Sequence, residues 1–289
     1  MALAPPIPFR AMGRIGRGWR LAKIALGVVR SDPALLTLSV LGGVAALFAV
    51  LALGIPAAVL YDRDQTVLAV VLAVVGAYAA TFLAVYFGVA LAAAAAQVLD
   101  GEDATVASGL AAARTRLGPI AGWALLLLTV NLVISFIRER AGVAGEIIAG
   151  IAGIAWGLVT FLVVPVIALE GLGPWASVKR SGALFRQRWG EQITGNFAIG
   201  GIFVLAGLIP AVIIGAIGWV SDSDAVRIVL LAVALVIAVV AVILARTVGS
   251  VFAVALYRFA ATGAATGPFS EDDLRGSVRA RPAMGRPGI

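Results

Sequence analysis

Two residue types are missing altogether. The 289-residue chain has no cysteine and no histidine. That removes disulfides, thiol nucleophiles, zinc sites of the usual nitrogen and sulfur type, histidine-ligated haem and imidazole acid–base catalysis. Charge is also scarce. Charged residues make up 13% of the sequence and hydrophobic ones 62%, and the mean hydropathy is +1.06. Soluble domains run at about 25% charged and about 45–50% apolar, so the solvent expected for this chain is a bilayer. No Asp or Glu falls in the middle of a long apolar run, so the carboxylate relays of many proton- or sodium-coupled carriers are absent. No metal-ligand cluster, Ser–His pair or close carboxylate pair supports an enzyme, and neither a catalytic residue nor a cofactor or metal is expected.

What is present is length without charge. A crossing needs roughly 20 apolar residues. Six runs meet that need: Ala34 to Leu60, Val67 to Val98, Pro119 to Ile137, Ile147 to Leu169, Ile193 to Val220 and Val226 to Ala260. Lys and Arg fall unevenly between them. One side has Arg10, Arg14, Arg17, Arg20, Lys23 and Arg30, then Arg114 and Arg116, then Lys179, Arg180, Arg186 and Arg188, then the C-terminal arginines; the other has mainly Arg63, Arg138, Arg140 and Arg227. Short cytoplasmic connections are the basic ones, which predicts cytoplasmic N- and C-termini in a bacterial inner membrane. The net charge of +7 is thereby assigned to anionic lipid headgroups rather than to nucleic acid.

Three basic segments show helical periodicity: residues 9–30, with Met12, Ile15, Trp19, Ala22 and Leu26 on one face; 103–117, with Val106, Leu110, Ala113 and Leu117; and 174–190, with Trp175, Val178, Phe185 and Trp189. They predict amphipathic helices at the cytoplasmic headgroup level, their apolar faces dipping toward the acyl chains. A shift of 72 residues places Arg114, Arg116 and Gly118 on Arg186, Arg188 and Gly190. Arg30-Ser31-Asp32-Pro33 parallels Arg116-Leu117-Gly118-Pro119, each with a proline where its missing N–H is harmless. The fold expected is all-α: a six-helix transmembrane bundle over residues 9–263, built as three copies of an amphipathic helix plus a two-span hairpin, or else a chance likeness among sequences of few residue types. Residues 1–8 read as a flexible lead and 264–289 as a disordered cytoplasmic tail.

From Trp156 to Gly200 the chain carries Phe161, Pro165, Glu170, Gly173-Pro174, Ser177-Val178-Lys179-Arg180-Ser181, Leu184-Phe185-Arg186 and Trp189-Gly190-Glu191-Gln192, and earlier Met12-Gly13-Arg14-Ile15-Gly16-Arg17-Gly18-Trp19. With these it resembles an uncharacterised family of prokaryotic polytopic membrane proteins, common in actinobacteria and catalogued as a domain of unknown function. It is more distantly similar to the membrane domain attached to some bacterial glycerophosphodiester phosphodiesterases, which is not their catalytic part. The resemblance implies topology and no activity.

Candidate sites each carry two readings. Lys179, Arg180, Arg186 and Arg188 with Trp175 and Trp189 form an anionic-lipid site or ordinary interfacial anchoring. Glu170 pairs with Lys179 or Arg180, or acts as a lone acid. Arg246 is an intramembrane polar site, or snorkels to the inner interface. Asn131, with Thr81, Thr129, Thr160 and Asn196, lines a polar path or makes inter-helix hydrogen bonds. Pro165 kinks the fourth span, as Pro56 and Pro210 kink others. Gly153 and Gly157 let another helix approach, from the same chain or from a second copy. The function expected is a non-enzymatic protein that engages lipids or an unidentified membrane partner, with a small-molecule or lipid permease as the alternative.

Overall fold

A computed structural model describes residues 14–140, 142–189, 199–271 and 274, with side chains over 20–140, 145–187, 208–271 and at 274. The elements among them are helices: α1 (Arg14–Ser31), α2 (Pro33–Asp62), α3 (Thr66–Leu99), α4 (Val106–Arg114), α5 (Leu117–Arg140), α6 (Gly142–Thr160), α7 (Val163–Glu170), α8 (Pro174–Trp189), α9 (Ile199–Trp219) and α10 (Asp224–Thr262). Five stretches are long and apolar enough to cross a membrane: Pro33–Asp62, Thr66–Leu99, Leu117–Arg140, Gly145–Glu170 and Asp224–Thr262. Leu208–Trp219 is a shorter apolar helix. These are the marks of a multi-pass membrane protein.

Local chemistry sets the helix ends. Asp32 caps α2, its Oδ1 accepting from the Ala34 N–H at 2.8 Å, and Pro33 follows at the first helical position. Thr105 and Ser108 cap α4 reciprocally. Gly171, at φ +68, ends α7 in the left-handed conformation, where its N–H reaches the carbonyls of Val166 and Ile167.

Short connections fold the long helices into antiparallel pairs, α2 with α3, α5 with α6, and α9 with α10. The open ends of all three pairs converge in one core. It includes Leu21 to Val29 of α1, Leu35 and Leu38 of α2, Val85 to Leu99 of α3, Ile120 to Ala124 of α5, Leu162 to Ala168 at α7, Leu184 and Phe185 of α8, and Val248 to Ala260 of α10. Ala90 and Ala92 to Ala96 make α3 thin there, so that α4, α5, α7 and α10 all touch it. Gly109 of α4 lies against this backbone, where a Cβ would meet the Ala90 carbonyl oxygen at 2.8 Å. The turn ends are the opposite: Phe48 and Ile55, Val67 and Val71, Leu132 and Phe136, Ile151 and Ile154, and Ile228 and Leu235 are exposed. Apolar surface of that extent is stable against acyl chains and not against water.

Three expectations are corrected. Part of each apolar stripe turns inward rather than toward lipid: Ala22 is buried in α1 beside Leu21, Ala25, Val28 and Val29, and Val178 and Phe185 are buried in α8 with Leu184 while Trp175 is exposed, because these helices close the protein core. The segment expected over 103–117 is helical only as α4, and Leu117 belongs to α5 and is exposed. The fourth span is kinked by Pro165 as expected: its helix is interrupted at Phe161 and Leu162, one turn ahead of the proline, whose missing N–H cannot bond the Phe161 carbonyl. The chain past 263 is not a free tail throughout, since Phe269 and Leu274 are buried and the Phe269 ring lies 6.4 Å from that of Phe252. The lead 1–8, Met12, Asn196, the start of the fifth expected span and residues 275–289 lie outside the described residues.

Candidate functional site

The break before Pro165 frees backbone groups, and α8 answers them. The buried Ser181 Oγ accepts from the Leu162 N–H at 3.3 Å, and Ser177, also buried, donates to the Leu172 carbonyl at 3.0 Å. Unpaired backbone polar groups cost several kcal/mol in hydrocarbon, so Ser181 is a structural requirement of the broken span, while Ser177 fixes the link from α7 to α8. Once α8 is docked in this way, its polar residues have fixed destinations. Arg180 turns inward, its Nε donating to Glu170 at 2.9 and 3.2 Å. The Tyr257 hydroxyl of α10 donates to the same carboxylate at 2.8 Å. Lys179 and Arg186 are exposed, and the Lys179 ammonium stands 6.0 Å from the ring centre of Trp175, itself 60% exposed. Arg180 is therefore not a free cation beside them. The side chains of Arg188 and Trp189 lie outside the described residues.

Glu170 is the centre of a three-helix cluster, and a second ion pair lies close along the chain. Arg258, one residue after Tyr257, bonds Asp100 at the end of α3 with both guanidinium nitrogens, one of them at 2.6 Å. The hydrogen-bonded Arg258 holds the Asp100 carboxyl below the usual carboxylate range, against the opposing effect of burial. Asp32 makes the third tie: its Oδ2 accepts from the Ala104 N–H at 3.0 Å while Oδ1 caps α2. Sequence reasoning missed Tyr257, Arg258, Asp100 and Asp32, since each partner lies far along the chain. The only local signal was the Asp-Pro pair at 32–33, which marks a cap.

Arg246 lies elsewhere. It is exposed on α10 and lines a crevice of about 30 Å³ with Leu38, Ser39 and Gly42 of α2 and Ala84, Phe87, Gly88 and Leu91 of α3. Among the described residues no acid pairs with it. Next to it, Thr247 is buried and donates to Ser39 Oγ at 2.6 Å, an inter-helix bond that the sequence reading did not anticipate.

The remaining candidates separate. Asn131 is exposed on α5 and takes no part in the Arg246 crevice. Thr81, Thr129 and Thr160 each donate to a carbonyl of their own helix, at 2.7, 2.9 and 2.7 Å. Nothing lies within 4 Å of a Cβ placed on Gly153 or Gly157, so no helix of the described chain approaches that face. Among the described residues no three acidic side chains gather as a metal-ligand set.

A protein-family model described as a family of unknown function matches residues 65–267. No curated protein and no solved structure matches the chain.

Proposed function

The chain belongs to this family of unknown function, DUF6159, and on that premise we propose that it is a non-enzymatic protein of the bacterial inner membrane that holds anionic lipid headgroups on its basic face. The proposal includes six crossings, with α9 as the fifth, and cytoplasmic termini. The observation that carries it is the segregation of charge between the two ends of the hairpins. The turn ends have Arg63, Arg138, Arg140 and Arg227 beside Asp62, Asp64, Glu139, Glu146, Asp222 and Asp224. Among the described side chains, the packed end has ten cations, Arg20, Lys23, Arg30, Arg114, Arg116, Lys179, Arg180, Arg186, Arg246 and Arg258, against six acids, Asp32, Asp100, Glu102, Asp103, Glu170 and Glu271. An excess of cations beside one membrane surface places that surface inside and attracts anionic lipid, each cation contributing about 1 kcal/mol near the headgroups.

The element order also supports a repeat, because α1 with α2 and α3, α4 with α5 to α7, and α8 with α9 and α10 each read as a shorter helix followed by a hairpin. The lipid reading is favoured over the permease by the threonines that bond their own helices and by the outward Asn131.

Two measurements test this reading. Single cysteines introduced as Arg114→Cys and Arg186→Cys are expected to react only from the cytoplasmic side, and Arg63→Cys only from outside; the reverse pattern overturns the orientation. In mixed proteoliposomes the full chain is expected to contact labelled anionic lipid in preference to zwitterionic lipid, with the preference reduced by Lys179→Ala/Arg186→Ala and by moderate salt. A preference unchanged by both refutes the headgroup role.

A further inference from the structure

Three helices place the Arg246 crevice at one depth. At about 1.5 Å per residue, α10 rises about 33 Å from Asp224 to Arg246, α2 about 35 Å from Asp62 back to Ser39, and α3 about 32 Å from Thr66 to Phe87. Each distance is close to the roughly 30 Å of a hydrocarbon core. Burial changes at the same level. On the turn side Val44, Leu47, Val71, Val75, Val239 and Val242 are exposed, and on the far side Leu35, Val89 and Val251 are fully buried. The crevice thus opens where the lipid-facing hairpins meet the packed end, at the height of phosphates rather than of acyl tails.

At this height stands an exposed guanidinium without a carboxylate, beside walls supplied by Leu38, Ala84, Phe87 and Leu91, with Ser39 as the other polar side chain. A volume of about 30 Å³ admits a water or two. It is far below the several hundred Å³ in which a soluble metabolite is enclosed. A ligand for this place must carry an anion to the mouth and leave most of its bulk outside, along the apolar flank of the hairpin.

We propose that the crevice between α2, α3 and α10 binds one membrane phospholipid, its phosphodiester held by Arg246 and the start of its acyl chain seated against Phe87 and Ala84. A guanidinium matches two phosphate oxygens at once, which an ammonium cannot do. The site depends on the chain crossing the bilayer as read above, and not on the α8 cations.

Native mass spectrometry of the full chain in mild detergent tests it, with phosphatidylglycerol, phosphatidylcholine and diacylglycerol as probes. The parent is expected to retain one copy of either phospholipid and no diacylglycerol. Arg246→Ala is expected to weaken retention at least about tenfold, the scale of one charge-assisted hydrogen bond. Arg246→Lys falls between the two, and Ala84→Phe weakens retention by narrowing the wall while the cation stays. Arg246 is exposed, so its variants should keep the parent's unfolding temperature. Retention unchanged in Arg246→Ala, equal retention of diacylglycerol, or displacement of the lipid by inorganic phosphate overturns the proposal. Lys179→Ala/Arg186→Ala should keep the retained lipid; its loss there with Arg246 intact moves the site to α8 and refutes this one.

Discussion

Replacing Glu170 tests whether three helices are fastened at one carboxylate. The group accepts from Arg180 at 2.9 Å and from the Tyr257 hydroxyl at 2.8 Å, with 38% of the Arg180 side chain and 23% of the Glu170 side chain exposed. Hydrogen bonds to charged groups contribute about 1.5–3 kcal/mol and neutral ones about 1 kcal/mol. Solvent screening of a pair this exposed lowers the Arg180 part to about 1 kcal/mol. Glu170→Ala removes both acceptors and strands the hydroxyl of Tyr257, a residue only 8% exposed, so a loss of about 2–3 kcal/mol is expected. Tyr257→Phe alone should cost about 1.5 kcal/mol, since its hydroxyl bonds a carboxylate. The two changes act on one bond, so Tyr257→Phe should cost almost nothing once Glu170 is alanine. A double-mutant cycle on detergent-solubilised protein, followed by unfolding in a stronger detergent, reads the coupling. If Tyr257→Phe costs the same in both backgrounds, the cluster does not fasten α10 to α7 and α8.

Two further ties have their own signatures. Asp32 uses its two oxygens on two different N–H groups, those of Ala34 and Ala104. Asn can accept only once there, so stability should fall in the order Asp, Asn, Ala, with Ala about 2 kcal/mol below the parent by thermal unfolding; Asn equal to Asp, as at an ordinary helix cap, refutes the tie to Ala104. Asp100 is held below its ordinary value of 3.8 by Arg258. A carboxyl depressed in the folded state contributes stability that is complete above the unfolded value and is lost as pH falls through the folded one. Unfolding temperature measured from pH 7 down to pH 3 should therefore drop more steeply at the acid end in the parent than in Asp100→Asn, and coincident profiles count against the pair.

Much of this architecture was legible because a bilayer imposes it residue by residue. Hydrocarbon demands about 20 apolar residues per crossing and leaves connections as the place for charge, so runs such as 34–60 and 67–98 read directly as α2 and α3. Prolines at 33 and 174 likewise marked helix starts, since their backbone limits act locally. Pro165 was read as a kink, but that the freed Leu162 N–H would find Ser181 depends on where α8 docks.

The periodic stripes of the basic segments were visible in the sequence, but what they would face was not. A stripe such as Val178 and Phe185 is satisfied equally by acyl chains or by other side chains, and only the convergence of three hairpin ends supplied the second. The same convergence decided the fate of the charges. Sequence alone determined how many there were and at which end of the hairpins, because that follows from the cost of burying them in lipid. Tertiary structure decided which were neutralised: Arg180 and Arg258 meet carboxylates brought from 10 and 158 residues away, and Arg246 meets none among the described residues. Pairing is a matter of distance in space, which no spacing along the chain encodes once three hairpins have folded together.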